Sequence, residues 1–557
     1  MAMVSGGELV VRVLEKAGVR NLFGLHGAHL ESIFQACLDH RIPITDTRHE
    51  AAAGHAAEGY ARAGRTLGVA LATAGPGFTN IVSSIANACL DRTPVLYIVG
   101  SAGTRDAETN TLQAGIDQAA IARPIAKWSH RIAATADIPR LVAHAIRIAT
   151  TGPTGPVLLD MPSDVLNGQV DEDSVRIPDT LQLGDGPGPS PAALGRALDI
   201  LAAAERPVIM AGAGAFQAGI TDELARFVDA TGIPVFSDFA GHGLIPSSHE
   251  AYGGTFHKMD DLKAEGARPD AVLALGVRFG LFTLGGGGRL APADAKLIHV
   301  EIDPREIGRL RDAELPIVAD PRAFLDAANA AAVRPWRDLR GWRETIRSAR
   351  RRRWDTLKDG LEREGPPIHP IQAVKAIADH LPKDATLVGD GAEAYHWMNE
   401  VVAQEQPGGY ITHGFLGCVG FGLGLSIGCQ VARPGTPVLL LVGDGAVGFT
   451  IAEFDTLARH KLPVVAVVLN NRSWAASQHF QEMVSGKNRV TGTQLGDARY
   501  HDVAIAFGCR GVHVSELGQL GPAIDAAFAS GQPTCINVEI DLEPIPPELG
   551  MLMSRHD

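Results

Sequence analysis

The stretch PVLLLVGDGAVGFTIAEFDTLARHKLPVVAVVLNN, residues 437–471, decides the fold. Its apolar run Val438–Val442 breaks at Gly443-Asp444-Gly445. Phe449, Ile451, Phe454 and Leu457 then recur at helical spacing, and a second apolar run ends at Asn470-Asn471. Unbroken apolar runs bounded by Gly, Asp and Asn predict strands buried on both faces of a parallel sheet. One helix between them predicts a βαβ unit, whose right-handed crossover sets both strand ends side by side at the carboxyl edge. Asp444 and Asn471 are therefore expected to meet there. Without that crossover they would read as ordinary turn residues.

Working outward, ATLVGDG (385–391) and PTCINVEI (533–540) extend the same sheet. The chain's first third repeats the layout: NLFGLHG (21–27), a helix carrying Leu30, Ile33, Phe34 and Cys37, IPITDT (42–47), a helix from His49, GVALATAG (68–75) and PVLYIVG (94–100). A middle set runs from RPVIMAGAG (206–214) through PVFSD (234–238), AVLALGV (271–277) and KLIHVEID (296–303) to the helical PRAFLDAANAAA (321–332). The expectation is three doubly wound, parallel-sheet α/β domains, residues 1–182, 190–340 and 366–557, with 341–365 as a connecting helical segment. The Gly/Pro-rich GDGPGPSP (184–191) reads as a linker and GGGGR (285–289) as a glycine-rich loop.

A chain of 557 residues exceeds what one core organises, and 45% apolar with 20% charged residues is an ordinary globular balance. The formal charge of −13 repels nucleic acid and anionic membranes, and the basic run Arg350–Arg353 reads as a solvated helix face. Six cysteines in apolar contexts, with no CxxC pair, read as reduced thiols. No stretch approaches the uncharged apolar length of a membrane span. A soluble cytoplasmic protein, with no nucleic-acid or membrane partner, is expected.

Magnesium takes about six oxygens, usually one or two protein carboxylates plus phosphates and water. Asp444, the Asn471 amide oxygen and the Ser473 carbonyl would supply three, leaving positions for a diphosphate that approaches through the glycines beside Asp444. GDG followed by NN across one helix and one strand is the thiamine-diphosphate signature. That chemistry also needs a carboxyl group beside the aminopyrimidine, and Glu50, after IPITDT, is placed for it. A glutamate in a first helical turn is otherwise a favourable dipole partner.

The chain resembles, over essentially its whole length, the thiamine-diphosphate family of acetolactate synthase, benzoylformate decarboxylase and benzaldehyde lyase, and within it the lyase most. The resemblance rests on FGLHGAH (23–29), DTRHEAAAGHAAEGYARAG (46–64), AETNTLQAGID (107–117), RVTGT (489–493) and PIPPE (544–548). It implies a first domain that binds the pyrimidine, a third that binds the diphosphate, and sites between subunits of a homodimer at minimum, with the homotetramer as the family habit. By the same resemblance Glu50 matches the activating glutamate, and Asp444, Asn471 and Ser473 match the metal ligands. Ala392, Gly445 and Ala446 match diphosphate loops, and Val419 the apolar wedge under the cofactor. His29, with His26 nearby, and Gln113 match an acid–base set, while Ala28, Tyr395, Trp474, Ala476 and Phe480 match a substrate pocket. Ser163 stands where benzaldehyde lyase carries Trp, which enlarges that pocket.

What the resemblance implies is a thiamine-diphosphate- and Mg2+-dependent lyase and carboligase, acting on aldehydes and 2-hydroxy ketones of benzoin or acyloin type through a cofactor-bound enamine. The alternative is an acetolactate synthase-like or other 2-oxo acid decarboxylating carboligase. Against it, ALGVRFGLFT (274–283) lacks the RFDDR pattern of acetolactate synthases, and Ala28 offers nothing polar to a carboxylate. VIMAGAGAFQAG (208–219), with Asp238 as ribose acceptor, would mark a nucleotide module, although a lone glycine loop is weak.

Overall fold

In a computed structural model, which describes residues 2–106, 109, 111–280, 283, 290–331 and 334–549, the apolar runs become strands buried on both faces, as in Val438–Gly443 and Val465–Asn470. They build three six-stranded sheets in which every neighbouring pair is parallel. The first runs, edge to edge, Ile44–Asp46, Leu22–Gly24, Gly68–Ala72, Val95–Ser101, Val157–Pro162 and Trp128–Arg131. The second runs Tyr252–Thr255, Val235–Ser237, Pro207–Ala211, Ala271–Leu275, Lys296–Glu301 and Leu315–Val318. The third runs Tyr410–Thr412, Thr386–Asp390, Val438–Gly443, Val465–Asn470, Thr534–Glu539 and Arg510–Val514. The strand order reverses between Leu22–Gly24 and Gly68–Ala72 in the first sheet and between Thr386–Asp390 and Val438–Gly443 in the third. Crevices outside the carboxyl ends at such switch points are where open α/β sheets bind ligands.

The outer domains share one core, which joins Phe23, Phe78 and Tyr97 to Phe421, Leu425 and Phe454. Glycines make the crossing of Glu50–Gly64 with Gly422–Ala432 possible. A Cβ on Gly59 would fall 2.2 Å from the Leu425 carbonyl oxygen, and one on Gly428 1.9 Å from that of Ala56. The middle domain keeps its own core around Phe227, Phe236 and Phe324.

The first helix, Gly6–Lys16, starts after Ser5, which caps it by accepting the Glu8 N–H at 3.2 Å. Before it, Met3–Ser5 pairs antiparallel with Gln169–Asp171 in a separate two-stranded sheet. The connecting segment is the helix Arg340–Thr356 followed by Lys358–Leu361. The linker ends at Ser190, which caps Pro191–Ala203, and GGGGR (285–289) lies outside the described residues. No helix among the described residues is long and apolar enough to cross a membrane.

Candidate active site

The switch point of the third sheet opens into a cavity of about 140 Å3 that brings together nine of the expected residues: Ala392, Val419, Asp444, Gly445, Ala446, Asn471, Ser473, Trp474 and Ala476. Gly391, at φ +89°, turns the chain from strand to helix and faces Gly443 across the crevice, where a Cβ would lie 3.2 Å from the Gly443 nitrogen. Asp444 is 3% exposed. Its Oδ1 accepts the Gly445 N–H at 2.9 Å, and its buried Oδ2 has no partner among the described residues. Burial raises its pKa to about 6, opposed by the backbone N–H groups of Gly445, Arg472 and Ser473. The predicted meeting of the two strand ends is therefore present.

Arg472, at φ +61°, turns the chain after Asn471, and the Asn471 amide oxygen accepts the Ser473 N–H at 3.2 Å. Thr493, from RVTGT, accepts the Trp474 N–H at 2.7 Å and fixes this loop from outside. An orphaned carboxylate oxygen, an amide oxygen and a carbonyl beside a glycine cradle fit a magnesium diphosphate. No cluster of three or more His, Cys, Asp or Glu suited to a metal exists among the described residues, so such an ion would depend on this mixed donor set.

The first sheet gathers the second group. Glu50 opens the helix Glu50–Gly64, capped by His49, and its Oε2 accepts the Asn80 side-chain N–H at 3.0 Å. A Cβ on Gly77 would lie 2.9 Å from Thr73 Cγ2 and 3.6 Å from Glu50 Oε1, so the carboxylate and Thr73 flank one glycine. His29 Nδ1 is 3.0 Å from the Thr73 hydroxyl, and burial pushes its imidazole below the ordinary histidine value. Gln113, at φ +64°, packs its Cα and Cβ over Gly75. Ala28 shares the short 3-10 turn Ala28–Leu30 with His29, and Ser163 begins the helix Ser163–Asn167 after the neighbouring strand. His26 stands apart, 58% exposed and paired with Glu31 at 2.5 Å.

These two groups do not meet within one chain. None of the residues lining the Asp444 cavity belongs to the first domain. Nor do all the expected pocket residues line it. Tyr395 is 1% exposed, with its hydroxyl 2.7 Å from His396 Nε2, in a network that runs through His396 to Glu548 of the PIPPE tail at 2.7 Å. Burial opposes ionisation of Glu548, but His257, His396 and Asn399 outweigh it and hold the carboxyl below the usual range. Phe480 is 43% exposed on the helix Ala475–Ser485. In the middle domain, Asp238 accepts the Ala213 N–H through Oδ2 at 2.9 Å and that of Gly241 through Oδ1 at 2.8 Å, so it pins its own loop.

Further contributors escaped the sequence. Asp390 accepts the N–H groups of Gly420 at 3.1 Å and Gly422 at 2.8 Å, and so holds the loop that carries Val419. Glu393, lining the cavity, pairs with His479 at 2.7 Å across 86 positions of sequence. Thr73 and Asn80 orient His29 and Glu50. Only Asp390, inside a second GDG, carried a local signal.

Two switch-point half-sites on a three-domain parallel α/β chain define a class of cofactor enzyme, and comparison with known proteins assigns its family. Thiamine pyrophosphate enzyme domains match in order: the N-terminal TPP binding domain over residues 4–121, the central domain over 194–328 and the C-terminal TPP binding domain over 390–538. The chain is 33% identical to a probable acetolactate synthase of Mycobacterium bovis, over 96% of this chain and 95% of that one. It is 31% identical to a probable acetolactate synthase large subunit of Methanocaldococcus jannaschii, covering 97% and 92%. To the acetolactate synthase isozyme 3 large subunit of Escherichia coli it is 31% identical, covering 95% and 93%. The chain belongs to the thiamine pyrophosphate enzyme family. These relatives carry the acetolactate synthase name and not that of the lyase branch.

Proposed function

We propose that the chain is a magnesium- and thiamine-diphosphate-dependent carboligase and lyase that makes and breaks the carbon–carbon bond of 2-hydroxy ketones. The observation that carries this reading is the pair of complementary half-sites, one with an unpartnered carboxylate oxygen in a glycine cradle and one with Glu50 and His29, which one chain does not join. A second copy would join them, so a homodimer is the smallest complete unit, and a homotetramer would carry two such pairs.

Asp444, Asn471 and the Ser473 carbonyl would hold Mg2+, and Ala392, Gly445 and Ala446 would border the diphosphate, with Val419 wedged under the rings. Bound thiamine diphosphate supplies a carbon acid whose anion adds to carbonyls and then acts as an electron sink. Glu50, steadied by Asn80, would share a proton with the aminopyrimidine. His29, held by Thr73 and kept neutral by burial, would take the proton of the carbinol hydroxyl on cleavage and return it on ligation. Gln113 would orient the substrate oxygen, and Ala28 and Ser163 leave room for the acceptor aldehyde. Free thiols and net negative charge support a cytoplasmic setting.

The names of the relatives favour a second reading, an acetolactate synthase-type reaction in which a 2-oxo acid loses carbon dioxide before ligation. Both reactions form an acyloin and differ in the donor. Holoenzyme supplied separately with benzoin, benzaldehyde, formaldehyde, pyruvate and benzoylformate separates them. The lyase reading expects aldehyde from benzoin and acyloin from aldehydes without gas release. Carbon dioxide and acetolactate from pyruvate alone establish the other.

A further inference from the structure

Where the middle domain, the connecting helix and the third domain meet, a cavity of about 300 Å3 opens that shares no lining residue with the one at Asp444. Three cations reach it: Lys258 of the middle domain, and Arg350 and Arg353 of the helix Arg340–Thr356. Their partners are unequal. Arg353 donates to both oxygens of Glu400, at 2.8 and 2.6 Å, and to Asp261 at 3.1 Å, so it is fully compensated. Glu405, the other lining carboxylate, turns onto Ser248, accepting its N–H at 3.2 Å and its hydroxyl at 2.5 Å.

Among the described residues neither Lys258 nor Arg350 forms a close ion pair. The Lys258 ammonium lies 3.5 Å from the Glu400 backbone carbonyl, beyond the range of a strong hydrogen bond. Arg350 donates to the Tyr252 carbonyl at 3.0 Å and rests its guanidinium 4.8 Å over the Tyr252 ring, leaving further N–H groups unused. Burial lowers the Lys258 pKa; the carboxylates of Glu400 and Asp261 offset part of this, and the positive charges of Arg353 and Arg350 add to it. Glu400 and Asp261 are drawn onto Arg353 and Glu405 onto Ser248, so Lys258 and Arg350 face the cavity with donors that a negative ligand can use.

We infer that this junction cavity binds a small oxyanion, a phosphate or a compact carboxylate, between Lys258 and Arg350. A guanidinium fork and an ammonium on facing elements suit such a group. The ligand would tie the connecting helix to the middle domain, and the inference does not depend on which reaction the chain catalyses.

Holoenzyme saturated with thiamine diphosphate and magnesium, which occupies the diphosphate site, is titrated with inorganic phosphate and separately with malonate, at ionic strength held constant with sodium chloride. Thermal unfolding and the fluorescence of Trp354, which lines the cavity, are read together. Saturable stabilisation is expected, with the tighter anion naming the ligand chemistry. K258M and R350M should each raise the dissociation constant about tenfold, as loss of one charge-assisted hydrogen bond does, while turnover stays unchanged. K258R should retain binding, and W354F should abolish the fluorescence change but not the stabilisation. Equal titrations in K258M, R350M and the unaltered protein, or no response to either anion beyond the chloride control, overturn the inference.

Discussion

The indole of Trp474 lies so close against Gly445 that a Cβ at residue 445 would fall 2.7 Å from ring atoms Cε3 and Cζ3. The ring packs edge-on against Phe449 with centroids 5.9 Å apart, and the chain that carries it is held by the backbone N–H of Trp474, which donates to the Thr493 carbonyl at 2.7 Å. Gly445→Ala should therefore displace the cavity wall while leaving the sheet intact. Calorimetric titration should show thiamine diphosphate affinity falling by about tenfold or more, the size of one lost contact of 1.4 kcal/mol. Unchanged affinity would mean that the Gly445–Trp474 contact does not shape the cofactor site.

Asp390 gives a pH prediction. Burial raises its pKa from 3.8 to about 6, with the N–H groups of Gly422 and Gly420 opposing it. Because the folded value lies above the unfolded one, the folded state holds the extra proton. Stability from this group is fully present below about pH 4 and is lost as pH rises through 6. Over that window the loss is about 3 kcal/mol. Asp390→Asn carries no such charge, so the unfolding free energy of the variant relative to the unaltered protein should shift in its favour by about that amount between pH 4 and 7. Denaturant melts of both proteins across that window provide the check. A constant difference would show that Asp390 titrates normally.

Glu50→Gln keeps the shape of the side chain and its contact with Asn80 but removes the carboxylate. The variant should fold and bind cofactor, yet deprotonate the bound thiazolium about 10²–10⁴-fold more slowly. Hydrogen–deuterium exchange at that carbon reads the step directly, and equal exchange rates would remove Glu50 from the role.

For His29 the expected signature is different. His29→Ala should leave thiazolium exchange intact but slow acyloin cleavage by about 10²–10⁴. The acid limb of the rate profile, set by an imidazole whose pKa burial holds below the ordinary value, should disappear with it. Thr73→Val, which removes the hydroxyl 3.0 Å from Nδ1, should move that limb without abolishing turnover. A profile that keeps the same limb in His29→Ala would assign the base elsewhere.

The three sheets were legible because each buried strand writes an unbroken apolar run, and the order of runs and helices leaves few parallel topologies. The meeting of Asp444 with Asn471 followed from the crossover rule alone. Less was legible where the reason is long-range. Glu393 and His479 share a hydrogen bond over 86 residues, and nothing local marks either. Tyr395 reads as a pocket aromatic by position, yet its hydroxyl belongs to a buried chain that reaches the tail residue Glu548 through His396. Asp238 reads as a strand-end acid, and nothing local shows that it also binds two backbone N–H groups of its own loop. That Glu50 does not line the Asp444 cavity was legible only through the family resemblance, because no local feature of the sequence marks which elements share a cavity.

The most direct measurement is turnover of a 2-hydroxy ketone by protein stripped of cofactor through dialysis against a chelator, then resupplied with magnesium alone, thiamine diphosphate alone, or both. Here the expectation is negligible activity in the first two cases and full recovery only with both, because on the proposed reading the orphaned Asp444 oxygen and the glycine cradle would act through a metal-bound diphosphate. Full activity in stripped protein, or recovery with either component by itself, would contradict the account.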